Sequence, residues 1–303
     1  MSAKGAEGEG MGSDQRQAAL GVQPHITDRT MPVGQVARLA AERGFASMFV
    51  CEHTHIPVAS KSLSPRGIMP DWCKHIPDPY ITLAAVAATT DLEIGTAVGL
   101  LAEHDPIVLA KVVASLDQLS GGRFVLGIGW GWNREEYEDH TGLPPGTRVA
   151  VLRDKLALMR RIWTEDEAQY QGTHVRLPAS WSWPKPARAG GPPVLLGVKG
   201  EPRNYERIAA WTDGWIPMSL ALGDEAFAGE LDEMRRTWAK AGRDPDALDV
   251  TVLQPPCPEP DLRRALDRAD ELSVRRVLIQ IDEETMADVE GVLDRAAVVI
   301  SGR

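Results

Sequence analysis

Cysteine is scarce in this chain: Cys51, Cys73 and Cys257 are the three in 303 residues. An odd and widely spaced set argues against a disulfide framework and for a reducing compartment, the cytoplasm. Positive charge is also short, with 33 Lys and Arg against 43 Asp and Glu. A chain of net charge −10 has no global basic face for nucleic acid, whose phosphates need clustered cations. No apolar run approaches the roughly 18–20 residues that span a bilayer, so no membrane partner is expected. Residues 1–17, MSAKGAEGEGMGSDQRQ, lack the apolar centre of a signal peptide and read as a disordered tail.

What is present is alternation. Hydrophobic residues make up 43% of the chain, enough for a full core, and from Ala18 onward short β-type runs are followed by amphipathic stretches. Strands are expected at 19–23, 47–52, 92–98, 123–128, 193–197, 214–217, 248–253 and 275–281. Helices are expected at 33–43, 79–90, 106–119, 148–163, 203–212, 224–241, 260–271 and 286–299. Val33, Val36, Ala37 and Ala40 fall on one helical face, as do Phe227, Leu231, Met234 and Trp238. Asp78-Pro79 and Asp105-Pro106 each put a capping side chain before a proline at the first helical position. Thr285 with Asp288 has capping-box spacing. Eight strands alternating with eight helices predict one α/β domain over 18–303, a (β/α)8 TIM barrel. An open doubly wound sheet is the runner-up. Long connections at 53–78, 129–147 and 164–192 form insertions after strands 2 and 4 and before strand 5. The first two fall on the C-terminal face, where barrels carry chemistry. The third reads as a hairpin around Gln171-Gly172.

The run GRFVLGIGWGWNREEYEDHTG, 122–142, ends a strand in the alternating glycines Gly127, Gly129 and Gly131. Such spacing lets backbone approach a flat or phosphorylated ligand. A dinucleotide fingerprint fails, because Trp132 stands at the third glycine and no helix is expected to open there. Glu52 and His53 end strand two. An imidazole with pKa near 6.5 exchanges protons at neutral pH, although a histidine at a strand end is also a common packing element. Glu103-His104 is a second candidate acid/base pair, or simply a helix entry. Cys51, His53, His55, Cys73 and His75 include the residue types of a zinc site. Zinc needs converging ligands, and His55 lies beyond the strand, so no metal is expected. Trp130, Trp132, Trp181 and Trp183 lie on expected loops and could wall a planar ligand, whereas Trp163, Trp211 and Trp238 sit on helix faces as packing.

Several blocks together resemble the luciferase-like monooxygenase superfamily. They are GFASMFVCEHTHIP (44–57), TDLEIGTAVGLLAEHDPIVLAKVVASLDQLSGGR (90–123), LSGGRFVLGIGWGWNREEYE (119–138), RVAVLRDKLALMRRIW (148–163), PPVLLGVKG (192–200) and IAAWTDGWIPMS (208–219). The pattern is most similar to the deazaflavin (coenzyme F420) branch. The resemblance implies an F420-dependent oxidoreductase that moves hydride between the deazaflavin and a small organic substrate. It implies His53 and Glu52 as catalytic residues, with Glu52 standing where relatives carry Asp. It implies cofactor contacts at Ala97, Val98, Gly129, Trp130, Asn133, Gly197, Val198, Lys199 and Gly200. A non-proline cis peptide is implied at Ala97–Val98. An anionic cofactor tail would meet cations among Lys185, Arg188, Lys199 and Arg203. Two other readings stay open: an FMN-dependent monooxygenase that takes reduced flavin from a separate reductase and uses oxygen, and a non-catalytic flavin-binding relative. A reductase that supplies reduced flavin or F420 and a homodimer are further partners the resemblance implies.

Overall fold

The computed structural model describes residues 17–64, 67, 69–218, 222–223 and 225–303. The tail expected at 1–17 lies, apart from Gln17, outside the described residues. The chain runs through β1 (Ala19–Pro24), α1 (Val33–Glu42), β2 (Ser47–Val50), α2 (Pro79–Thr89), β3 (Glu93–Thr96), α3 (Pro106–Leu119), β4 (Phe124–Ile128), α4 (Arg134–Thr141), α5 (Arg148–Thr164), β5 (Glu167–Gln171) and β6 (Arg176–Trp181). It continues through β7 (Val194–Val198), α6 (Pro202–Trp211), β8 (Gly214–Pro217), α7 (Glu225–Lys240), β9 (Asp249–Gln254), α8 (Glu259–Glu271), β10 (Arg276–Ile281), α9 (Glu283–Met286) and α10 (Val289–Ser301). Eight strands close into a parallel barrel in the order β1-β10-β9-β8-β7-β4-β3-β2, while β5 and β6 form a separate antiparallel hairpin. The closed barrel decides against the open sheet.

The expected elements are all present, with shifted ends. Proline stacks with a working cap at two helix starts. Asp78 accepts from the Ile81 amide, and Asp105 Oδ1 accepts from the Ile107 and Val108 amides, each at 2.8–2.9 Å. The helix stripes face the barrel: Val36, Ala37 and Ala40 of α1 are buried, as are Phe227, Leu231, Met234 and Trp238 of α7. The capping box expected at Thr285 and Asp288 is absent. Asp282 is the cap instead, accepting from the Thr285 amide and hydroxyl, and α10 starts only after Asp288. Strand β2 stops at Val50, so Glu52 and His53 stand beyond it on the rim.

A second correction concerns 129–147. This segment is not a plain loop, because α4 opens directly after Asn133. Asn133 caps it through Oδ1 to the Glu135 and Glu136 amides. Gly142 ends it in the left-handed region at φ 64°, which a side chain would strain. The barrel interior is filled by Phe49, Ala97, Val125, Leu195, Ile216 and Leu278. Beneath them, at the N-terminal ends of the strands, buried Arg276 binds Asp249 at 2.7 and 3.0 Å, Thr251 at 2.8 Å, and Glu93. This network closes the floor among the described residues, and barrels of this kind carry their chemistry at the other, C-terminal end.

Candidate active site

The mouth is built where β2, β3, β4 and β7 run out. After β3 the chain bulges inward, and the Ala97–Val98 peptide is cis, as the resemblance implies. Neighbouring groups hold this bulge. Gln23 Nε2 donates to the Ala97 carbonyl at 2.6 Å, and Gln280 Nε2 donates to Gln23 Oε1 at 2.9 Å. The Gly99 amide donates to the Gly127 carbonyl and the Gly129 amide to the Gly99 carbonyl, at 2.8 and 2.9 Å. The glycines are needed for room. A Cβ on Gly129 would lie 2.7 Å from the Val98 side chain, and one on Gly197 would lie 2.4 Å from it. Val98 is thus seated between β4 and β7 at the bottom of the mouth. Val198, by contrast, is buried in the core, so only its backbone is near the rim.

His53 is the most pointed group here. Its Nδ1 lies 2.7 Å from Glu136 Oε2, and the other carboxylate oxygen of Glu136 accepts from the Thr54 amide at 2.9 Å. The edge of its ring meets Trp132, centroids 5.2 Å apart at 72°. The side chains of His53 and Glu136 are 6% and 1% exposed. A carboxylate on Nδ1 fixes the tautomer and leaves Nε2 for a ligand; among the described residues no protein group meets that nitrogen. Glu136 escaped the sequence reading. Its signal was the spacing from Asn133, three residues into a helix whose start was not expected.

Glu52 has a different environment. Its Oε2 accepts from the Leu100 amide at 2.5 Å and its Oε1 lies 2.6 Å from His104 Nε2. Burial lowers the proton affinity of His104, but the hydrogen bond and charge of Glu52 outweigh it and raise the pKa. Glu52 is therefore occupied in holding the β3–α3 loop. Lys155 fastens the same loop from α5, donating to the Ala102 and His104 carbonyls at 2.7 and 2.6 Å, and burial pushes it down to about 8. Asn133 is likewise committed on its oxygen side, to α4 and to Ser60.

At β7, Lys199 and Arg203 are exposed where α6 opens. Gly200 is packed against Glu230, whose oxygen would lie 1.6 Å from a Cβ there. Trp130 lies under the Arg207 guanidinium, 5.6 Å away. The other expected cations are elsewhere. Lys185 donates to the Ile162 and Glu165 carbonyls at the end of α5, and Arg188 donates to the Phe124 carbonyl at the start of β4. Both belong to the opposite end of the barrel, because a helix C-terminus and a strand N-terminus lie there. Trp181 is paired with Glu167 in the hairpin, and the Trp183 carbonyl is held by Lys111 of α3, so neither walls the mouth. Among the described residues no group of three or more His, Cys, Asp and Glu could hold a metal ion. No helix among them is long and apolar enough to cross a membrane.

The insertion after β2 lies over this mouth. Trp72 stacks on His25 at 3.9 Å, and Arg29 pairs with Asp71 at 3.0 Å. Ser60, Ser62 and the Lys61 amide all donate to Glu135 of α4. The Ser62 hydroxyl, then the Lys61 amide, hold the Glu135 carboxyl down to about 2 from 4.5. A depressed carboxylate contributes stability that is complete above its unfolded pKa and lost as pH falls through the folded one. The protection of the Lys61 amide, its exchange rate set against the intrinsic rate at the same pH, should therefore be high above pH 4.5 and be lost toward pH 2. Protection that stays constant into acid would show that Glu135 does not anchor this loop.

The model for the luciferase-like monooxygenase family matches residues 12–296. The chain belongs to this family. Its members include oxidoreductases and monooxygenases. An uncharacterized protein of Mycobacterium tuberculosis is 39% identical over 280 residues, covering 91% of this chain and 96% of its own. The F420-dependent glucose-6-phosphate dehydrogenase of Nocardia farcinica is 30% identical over 223 residues, covering 72% of this luciferase-like chain and 62% of its own. Among solved structures, monooxygenase RslO1 from Streptomyces bottropensis superposes with TM-score 0.76 at 18% identity, covering 94% of this chain and 99% of that one. That likeness shows the fold.

Proposed function

We propose that this protein is an F420-dependent oxidoreductase acting on a small organic substrate, with His53 as the proton-handling residue. The observation that carries the reading is the His53–Glu136 pair on the rim, tautomer-fixed and nearly dry, with Nε2 left for a ligand. The 30% identity to an F420-dependent dehydrogenase supports the choice of coenzyme.

The residues present fit such a group. The Val98 bulge between Gly129 and Gly197 offers a shelf of backbone and one aliphatic side chain, which suits a flat ring. Trp130 and the glycines would wall it, and the exposed Lys199 and Arg203 at the opening of α6 would receive an anionic tail. When bound, the deazaflavin supplies or takes up hydride. The protein supplies the rest: His53 gives or takes a proton at Nε2, Glu136 holds the ring through Nδ1, and Glu52 with Lys155 keeps the β3–α3 loop in place. The unpaired Cys51, Cys73 and Cys257 support a cytoplasmic setting.

Paired fluorescence titrations of the purified protein with F420 and with FMN test the reading. Tight, saturable binding of F420 with weak binding of FMN is the expected result. The opposite preference would replace it with an FMN-dependent monooxygenase, and binding of neither would leave a non-catalytic relative.

A further inference from the structure

Glu103 is a carboxyl at the mouth to which the reading above gives no work. Its side chain is 1% exposed, and neither oxygen receives a hydrogen bond among the described residues. Groups from every packed element face it. Glu52, beyond β2, already takes the Leu100 amide and His104. Glu136 of α4 already takes His53 and the Thr54 amide. His140 of α4 stands 3.9 Å from Glu103 Oε2, beyond hydrogen-bond reach. Lys155 of α5 directs its ammonium at two carbonyls. Gly131 also packs against it, where an added Cβ would lie 3.2 Å from Oε1.

An ion without a donor, beside two hydrogen-bonded carboxylates, is the costly state of this group. Burial first, then the charges of Glu136 and Glu52, push the Glu103 carboxyl up to about 9. We propose that Glu103 is a positioning residue that works as an uncharged carboxylic acid, holding its proton so that it adds no third negative charge beside Glu52 and the Glu136 that holds His53. The proposal deepens the function given above and rests on His53 handling the proton.

Glu103→Gln keeps the shape and removes the charge at every pH, so it should reproduce the neutral state. The measurement is a pH titration of the His53 ring signals by NMR in the protein without cofactor, assigned by their loss in His53→Gln. The expected result is a superimposable titration for the parent and Glu103→Gln up to about pH 8, with a second inflection above it in the parent alone. A change of about tenfold or more in the proton affinity of His53 near neutrality would overturn the proposal, because it would show that Glu103 had been an anion. The infrared spectrum of the parent needs no variant to fold. It should contain a protonated-carboxyl band at neutral pH that disappears in alkaline solution, and its absence would also overturn the proposal. Failure of F420 to bind, with both spectroscopic results as expected, would remove the function above and leave Glu103 a neutral acid.

Discussion

His53→Ala is expected to lower kcat by about 10²–10⁴-fold while cofactor affinity stays close to that of the parent. The size follows from what the side chain does. It is nearly excluded from water, its Nδ1 is 2.7 Å from Glu136, and among the described residues no other imidazole is hydrogen-bonded to that carboxylate. Among the described residues the ring's hydrogen bond is to Glu136 and its ring contact is to Trp132, so its loss should not disturb the surfaces proposed for the cofactor. Glu136→Gln separates the two functions of the pair. It keeps a hydrogen-bonding group beside Nδ1 but removes the negative charge, so its kcat loss should be smaller than that of His53→Ala. Steady-state rates across pH, set beside equilibrium cofactor titrations, make the comparison. An unchanged kcat in His53→Ala would take the residue out of the mechanism.

Arg276→Met should destabilise the fold by about 3–5 kcal/mol, the usual penalty for removing one partner of a buried ion pair. Arg276 is 1% exposed and carries five hydrogen bonds to Glu93, Asp249 and Thr251. Its guanidinium also lies 5.7 Å from the Phe49 ring centroid, in the floor of the barrel. Methionine fills much of the volume but leaves Glu93 without its guanidinium and Asp249, itself 7% exposed, with the longer 3.5 Å contact to the half-exposed Arg275 in place of its bidentate pair. The denaturant midpoint measures the effect. A second variant that also replaces Asp249 and Glu93 with apolar residues should recover much of the loss, since a well-packed apolar trio needs no counter-charge. A stability change below about 1 kcal/mol in Arg276→Met alone would show that the network contributes little.

The barrel was legible because its signal is local and repeated. Each strand and helix declares itself by its own spacing, and the count of eight favoured the barrel over an open sheet, which the strand pairing then decided. Helix α4 was not legible for the same reason. Of its eight residues only Glu136 and Tyr137 are buried, so no apolar stripe announces it. The cap at Asn133, the acidic first turn and Gly142 were the signals that could have found it. Glu136 was missed with it, because the contact that gives this residue meaning is to a histidine 83 positions earlier. Gln23 and Gln280 were missed likewise. They meet only across the closed barrel, 257 residues apart in the chain. Lys185 and Arg188 show the converse error: a charge on a loop can be read from sequence, but not the end of the barrel at which that loop lies.

The carboxylate that steadies His53 comes from α4, a short capped helix inserted after β4, and not from a barrel strand. The base strength of the site is thereby separable from the architecture that encloses it. Replacing 133–142 by another capped segment of equal span would change the chemistry of the imidazole while the strands and the Arg276 floor stay as they are. In such a fold, reactivity can diversify by exchanging one removable part, with the cofactor shelf inherited intact.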